Sequence, residues 1–211
     1  MRTVRNVLAP LLLVGVLVGL VVAGCSNAES GTPVAGDPPA TAGSTTGPGT
    51  TGQSTSDTPP PVDRPRPIDL STVDICQVVG GLPLRDYRLD GDRPPLAGES
   101  DLFPGSRDCF ANGIRDNVSL LVIAVTTEGA RSFVDSANVT AATDSVAAGY
   151  PLTVLTPSNP ATCLGVLDVH DGQMLYLSYG VGSPLEQPLT PQADLCRTVP
   201  SIATAAVGAL G

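Results

Sequence analysis

Residues 118–126 read Val-Ser-Leu-Leu-Val-Ile-Ala-Val-Thr, a run that is apolar at almost every position. A strand with one face in water alternates apolar and polar side chains, whereas a strand covered on both faces reads as a continuous apolar run. This stretch therefore predicts a central strand of a sheet that has other elements packed on both of its sides.

A second strand signal lies downstream, at Asp171-Gly172 between the apolar segments 162–170 and 173–179. Asp-Gly between two apolar runs is the strongest short-range signal of a β-hairpin, because a type I′ turn needs positive φ at both central residues. A regular two-residue turn places Val169 opposite Met174 and Leu167 opposite Tyr176. The sequence predicts that these four side chains share one buried face.

Shorter signals surround these strands. Strands are predicted at 82–89, 109–114 and 154–156, and a short helix at about 128–137 with Ala130, Phe133 and Val134 at helical spacing. Ser71 and Asp74 resemble a capping box that opens a helix ending at Gly80-Gly81. Thr190-Pro191 opens a last helix in which Pro is the first helical residue and Pro200 introduces a kink; its predicted buried stripe is Leu195, Val199, Ile202 and Ala206.

The chain before this domain divides into two segments. Arg2 and Arg5 precede an apolar stretch that ends at Val22-Ala23-Gly24-Cys25, which has the order of a signal peptide and the small residues of a bacterial lipobox. The sequence therefore predicts a lipoprotein signal peptide over 1–25, with Cys25 as the lipidation site. The alternative is an ordinary transmembrane anchor with an incidental cysteine.

Residues 26–67 contain 28 Gly, Pro, Ser or Thr among 42 positions, and their apolar residues are only Ala and Val. Such a segment cannot bury enough apolar surface to offset the entropy of ordering it. We expect a disordered tether over 26–67, followed by one globular domain over 68–211.

Composition excludes several classes of function. All 11 basic residues are Arg, so Schiff-base and P-loop lysine chemistry are absent, and the single His170 excludes paired-histidine metal sites. The net charge of −9 argues against nucleic acid as a partner, because binding phosphates requires a basic face. No cofactor is predicted.

Four cysteines remain after Cys25, and an even number in an exported chain favours two disulfides. Pairing Cys76 with Cys109 and Cys163 with Cys196 would fasten each terminal helix to a strand, and we favour this scheme. The competing scheme joins Cys76 to Cys196 and Cys109 to Cys163. A zinc site is the other use of four cysteines, but the C-x-x-C pairs typical of such sites are missing. The expected fold class is α+β, an antiparallel sheet with helices near both ends of the domain, stapled by two disulfides.

The succession of features resembles a known family. A lipobox, a low-complexity tether, Asp74-Ile75-Cys76 on a first helix, Cys109-Phe110 opening a strand, Gly129-Ala130 at a helix, and Cys163 and Cys196 downstream are similar to the actinobacterial lipoproteins grouped as domain of unknown function 3558. The resemblance covers about residues 69–210, and Phe110-Ala111 departs from the Trp that often follows the second cysteine. It implies a cell-envelope lipoprotein and brings no catalytic residues.

Candidate chemistry in the domain is sparse. Serines are plentiful, but there is no G-x-S-x-G elbow, and His170 is the only base available to one. Asp168 would share a strand face with His170, which makes half of an acid/base pair without a nucleophile. The acids Asp90, Asp92, Glu99 and Asp101 could bind calcium, although their spacing matches no calcium loop and a solvated acidic loop is favoured.

Two functions of different class remain. The favoured one is a non-catalytic module at the extracytoplasmic face of the membrane, held there by lipid and binding an envelope protein, glycan or lipid. The alternative is an envelope hydrolase that uses paired carboxylates. For the module, we expect residues 90–107 to form a mobile recognition loop, because a long, polar, proline-rich loop in a compact domain tends to be functional. Arg93 and Arg107 could hold it by ion pairs to its own Asp and Glu residues.

Overall fold

A computed structural model describes residues 62–186 and 189–211 of the protein. The expected signal peptide, the lipidation site Cys25 and the tether as far as Pro61 lie outside these residues. None of the helices in the described part has the length and hydropathy of a membrane span.

Seven antiparallel strands form one sheet, in the order β1-β2-β3-β7-β6-β5-β4. The strands are β1 Leu96–Glu99, β2 Arg107–Gly113, β3 Val118–Val125, β4 Ala141–Ala147, β5 Tyr150–Thr156, β6 Thr162–His170 and β7 Gln173–Val181. Three α-helices accompany them: α1 Ile75–Gly80, α2 Ala130–Ser136 and α3 Gln192–Ala209. The α+β class is confirmed, with a helix near each end of the domain.

The strand β3 lies in the interior of the sheet between β2 and β7, as its sequence predicts. Val118, Leu120 and Val122 are fully buried on the side that carries α1 and α3. Ile123 and Val125 are fully buried on the opposite side, where α2 packs. A continuous apolar run is thus required because helices cover both faces of this strand.

Both disulfides of the favoured scheme are present. Cys76 of α1 is bonded to Cys109 of β2, and Cys163 of β6 is bonded to Cys196 of α3, each with a Cα–Cα distance of 5.1 Å. The helices α1 and α3 are therefore each joined covalently to the same face of the sheet. By the loop-entropy model a loop of this length contributes about 3 to 4 kcal/mol of stability.

The helix α3 crosses the sheet closely at Gly165 of β6. A Cβ built on Gly165 would lie 2.6 Å from Cγ1 of Val199, so the helix can approach only because this residue has no side chain. The predicted stripe Leu195, Val199, Ile202 and Ala206 is fully buried. The helix begins at Gln192, so Pro191 is its N-cap and not its first residue, and it continues through Pro200.

The hairpin β6–β7 forms as predicted, but its register is not the predicted one. Asp168, and not Val169, lies opposite Met174, because a bulge between Asp168 and His170 leaves Val169 without a partner. Gly172 has a φ of 74° while Asp171 is not in the positive-φ region, so the turn is not type I′. The four residues expected on one face are all buried but are divided between the faces: Leu167 and Val169 on the α3 side, Met174 and Tyr176 on the α2 side.

Other local predictions need correction. Residues 82–89 do not form a strand; Leu84–Tyr87 is a short 3-10 helix. The strand predicted at 154–156 begins at Tyr150, and β1 and β4 were not predicted at all. Asp74, and not Ser71, caps α1, accepting hydrogen bonds from the backbone N–H groups of Cys76 and Gln77.

Contacts of the globular part begin upstream of Ile68. Nε of Arg64 donates to Oδ1 of Asp168 at 2.8 Å, and Nη1 of Arg64 donates to Oδ1 of Asp171 at 2.9 Å. The side chains of Arg64 and Asp168 are only 11% and 14% exposed. This ion pair fastens the start of the described chain to the end of the β6–β7 hairpin.

Candidate functional site

An apolar pair of side chains lies exposed at the β1 edge of the sheet. Leu96 of β1 lies directly opposite Phe110 of β2, and the two are 55% and 38% exposed. Cys109 and Ala111, the neighbours of Phe110 along the strand, are buried on the α1 and α3 side. Because side chains alternate along a strand, Phe110 points to the face that carries α2.

The pair lies in a depression of about 340 Å³, which we call the edge patch; it is lined by Asp92, Arg93, Pro94, Leu96, Phe110 and Asn112. Phe110 also pairs in register with the half-buried Leu121 of β3, which extends the apolar surface toward the centre of the sheet. The helix α2 is seven residues long and contacts β6 and β7. The apolar side chains near β1 and β2 therefore remain uncovered.

Two sets of hydrogen bonds hold the chain that leads into β1. The N–H of Gly91 donates to the carbonyl of Asn112 at 2.8 Å. Asp90 accepts from the N–H of Ile114 at 3.0 Å and forms an ion pair with Arg115. The hydrogen bond from Arg115 is the main reason that the pKa of Asp90 lies below its usual range. One rim of the edge patch is thus fixed to the end of β2.

The loop between β1 and β2 is also ordered, contrary to the expectation of a mobile segment over 90–107. The backbone N–H of Ser100 donates to the carbonyl oxygen of Ser106 at 2.9 Å. The N–H of Phe103 donates to Oγ of Ser100 at 3.1 Å. Phe103 is 6% exposed and packs against Phe133 of α2 and Tyr176 of β7, with ring centroids 5.5 and 5.3 Å away. The expectation that this loop contributes little to the core was wrong, because Phe103 is buried between α2 and β7.

The predicted ion pairs of this loop do not form either. Neither Arg93 nor Arg107 takes part in an ion pair of the described residues, and Arg93 instead lines the edge patch. In the same part of the chain no three His, Cys, Asp or Glu side chains converge as metal ligands would. The calcium alternative at Asp90, Asp92, Glu99 and Asp101 therefore has no geometric support.

The other two residues that the sequence singled out, His170 and Asp168, have different interaction partners. Nδ1 of His170 lies 2.8 Å from the carbonyl oxygen of Asp171. Asp168 forms an ion pair with Arg64. The two residues therefore do not pair with each other, and the half of an acid/base site expected from their spacing is not assembled.

A carboxyl group that the sequence did not single out is Asp108 of β2. It lines a cavity of about 430 Å³ together with Asp74, Cys76 and Arg107. Burial raises the pKa of Asp108, and the negative charge of Asp101 acts in the same direction. Nothing in a single sequence marks this acid among many, because its environment depends on the β1–β2 pairing.

The edge patch was also missed as a set of residues. The only local signal is that Leu96 follows Pro94-Pro95 in a polar segment where no apolar residue is needed for a core. Phe110 stands out only when its strand alternation is known, because Cys109 and Ala111 already supply the buried face. The juxtaposition of the two depends on the pairing of β1 with β2, which was not predicted.

The described fold and surface define a class: a disulfide-stapled α+β domain with an exposed apolar patch at one edge of its sheet. Comparison with family models matches residues 20–209 to the family described as Protein of unknown function (DUF3558). The match covers most of the chain, so the protein belongs to this family. No curated protein and no solved structure matches the chain.

Proposed function

We propose that the protein is a lipid-anchored, non-catalytic binding module at the extracytoplasmic face of the cell membrane. The observation that carries the binding role is the exposed Leu96–Phe110 pair. Contiguous exposed apolar side chains with a polar rim are typical of interaction sites, since a monomer gains nothing from leaving them in water. Asp92, Arg93 and Asn112 supply such a rim.

The ligand that this surface favours is a protein with a complementary apolar face. A carbohydrate site requires a dense set of hydrogen-bonding side chains, whereas half of the residues that line the edge patch are the apolar Pro94, Leu96 and Phe110. Interfaces between proteins combine an apolar centre and a polar rim that contains arginine. The envelope partner is thus expected to place an apolar side chain between Leu96 and Phe110.

The anchoring half of the proposal rests on the sequence. Small residues precede Cys25, the long apolar run ends there, and the family match begins at residue 20 and so includes this site. Replacing Cys25 with Ala should leave an uncleaved precursor. Processing of the variant to the parent size, with the product still in the detergent phase, would contradict lipidation at this residue.

The hydrolase alternative is supported by one observation, the raised pKa of Asp108 beside Asp101. A carboxyl group that stays protonated longer can act as a general acid. If the domain were a hydrolase of this kind, envelope material incubated with the protein would release products, and Asp108→Asn would stop the release. A binding module releases none with either protein.

A further inference from the structure

In the described part of the chain, the outer edge of β4 is a long strand edge without a pairing partner. The strand extends over seven residues, Ala141–Ala147, and is the last strand of the sheet, with β5 as its only neighbour in the described part of the chain. Most of its side chains are exposed, Val146 at 64%. An edge of this kind offers a row of free N–H and C=O groups.

The hairpin turn shows which backbone groups are free. Ala148 and Gly149 have φ values of 49° and 89°, as in a type I′ turn, and Ala147 pairs with Tyr150. The closing pair of a two-residue hairpin is hydrogen-bonded, so alternate residues from Ala147 backwards direct their backbone groups to β5. Ala142, Asp144 and Val146 consequently direct theirs outward.

The opposite edge of the sheet is protected, but β4 is not. The strand β1 has only four residues and follows directly on Pro94-Pro95. Short edge strands and prolines are the usual means by which proteins prevent strand addition. The strand β4 contains no proline and a single charged residue, Asp144.

A cavity of about 270 Å³ lies beside this edge, on the α2 face. Asp144 lines it with Arg131 and Asp135 of α2 and with Asp168. Asp168 is neutralised by Arg64, whereas Asp135 and Asp144 take part in none of the ion pairs of the described residues. Asp144 is approached by the hydroxyl of Thr153 at 3.5 Å. The acids without an ion pair outnumber Arg131, so the cavity favours a cation.

We propose that β4 binds an extended peptide segment of a partner protein as an eighth strand, with a basic side chain of that peptide placed against Asp144 and Asp135. The peptide's backbone would pair with the outward groups of Ala142, Asp144 and Val146, which is the mode of recognition called β-augmentation. This site is separate from the edge patch, because the two edge strands lie about 29 Å apart across the sheet at the usual strand spacing.

A second copy of the chain is a poorer occupant. Asp144 is the central residue of β4. Full antiparallel overlap of two β4 strands would place the two Asp144 carboxylates directly opposite each other, and like charges in that position are destabilising. The same charge that opposes self-pairing favours a basic peptide.

The test uses the full chain and two fluorescent, end-blocked heptapeptides of alternating Thr and Val, one with a central Lys and one with a central Glu. Fluorescence anisotropy should show saturable binding of the Lys peptide, with the Glu peptide about fivefold weaker, as expected of a cross-strand charge pair. Ala142→Pro should abolish binding because it removes an outward N–H, whereas the matched control Ala142→Val should bind normally.

A second variant keeps the proposal falsifiable if Ala142→Pro does not fold. Asp144→Arg should reverse the preference so that the Glu peptide binds more tightly. Phe110→Ser should leave peptide binding unchanged, which separates this site from the proposed function. Failure of both peptides to bind, equal binding of the two, or a dimer in sedimentation that Ala142→Pro dissociates would each overturn the proposal.

Discussion

Leu96 lies directly opposite Phe110 across the outermost strand pair, and both side chains are exposed to solvent. The face of the sheet to which Phe110 points is covered by α2 only in part. Because α2 contacts β6 and β7, it leaves Leu96 and Phe110 exposed among the residues that the structure describes. This exposed apolar pair is the observation on which the proposed binding role rests.

The close approach of α3 to β6 makes Gly165 sensitive to substitution. In Gly165→Ala the new Cβ would meet Cγ1 of Val199 at 2.6 Å, so we expect a loss of about 1 to 3 kcal/mol in the free energy of unfolding, as for other overpacked cores. The control is Gly208→Ala in the helix α3, where a Cβ would meet nothing within 4 Å. That change should stabilise by about 0.5 to 1 kcal/mol, since Ala favours helices.

Urea denaturation of both glycine variants measures these changes. Equal stability of Gly165→Ala and the parent protein would show that α3 does not pack against β6 as closely as described.

Removal of one disulfide should expose its helix to hydrogen exchange, whereas removal of the other should not. Replacing either pair with Ala should cost about 3 to 4 kcal/mol, because the two loops have equal length. The helix α1 has only six residues and cannot hold itself together, so loss of Cys76–Cys109 should expose its amides to hydrogen exchange. The helix α3 should stay protected without Cys163–Cys196, since its stripe is fully buried.

Hydrogen exchange followed by mass spectrometry distinguishes the two cases. Protection of α1 that survives in the Cys76→Ala, Cys109→Ala variant would contradict the view that this bond holds the helix to the sheet.

The raised pKa of Tyr176 predicts how the stability of the fold changes at alkaline pH. Burial raises its pKa to about 12, while an unfolded tyrosine ionises near pH 10. The folded protein therefore holds this proton more tightly than the unfolded chain, so stability from the group is complete below about pH 10 and is lost as the pH rises toward about 12. Tyr176→Phe should remove this loss.

The substitution should change little at pH 7, because the ring contacts with Phe103 and Phe133 are retained. Unfolding measured from pH 8 to 12 in both proteins checks the prediction. An identical alkaline decline in the two would assign the loss to other groups.

The sequence was most informative where one strong local pattern decided the outcome. The apolar run at 118–125 could be assigned to the sheet centre, and the expected position of each cysteine pair on a terminal helix and a strand suggested the pairing that is found. The strand β4 has no such pattern: Ala141 to Asp144 are exposed on both faces, so neither alternation nor a continuous apolar run marks it. Edge strands of this kind are specified by their neighbours.

Long-range contacts account for the other differences. Asp168 lies on the same face of β6 as Val166, toward α2, and Arg64, 104 residues away, holds it. Phe103 likewise anchors the β1–β2 loop through Tyr176 and Phe133, which are distant in sequence. A single sequence does not show such pairs.

The edge patch should not be required for folding. Phe110→Ser removes a ring that is 38% exposed, so its cost in stability should be smaller than that of truncating a fully buried side chain. Val122→Ala, a fully buried position of β3, is the contrasting variant and should cost well over about 1 kcal/mol. Thermal unfolding of the two variants measures both effects, and a large loss in Phe110→Ser would mean that this ring belongs to the core.

The most direct test of the proposed binding role places a photo-crosslinking amino acid at Phe110 of the full chain, expressed in its native cells. Ser158, an exposed residue outside the edge patch, is the control position. We predict that light yields one discrete protein adduct from position 110 and none from position 158, and that Leu96→Ser in the same chain abolishes the adduct. The absence of any adduct at position 110, or the same adducts from both positions, would contradict the account.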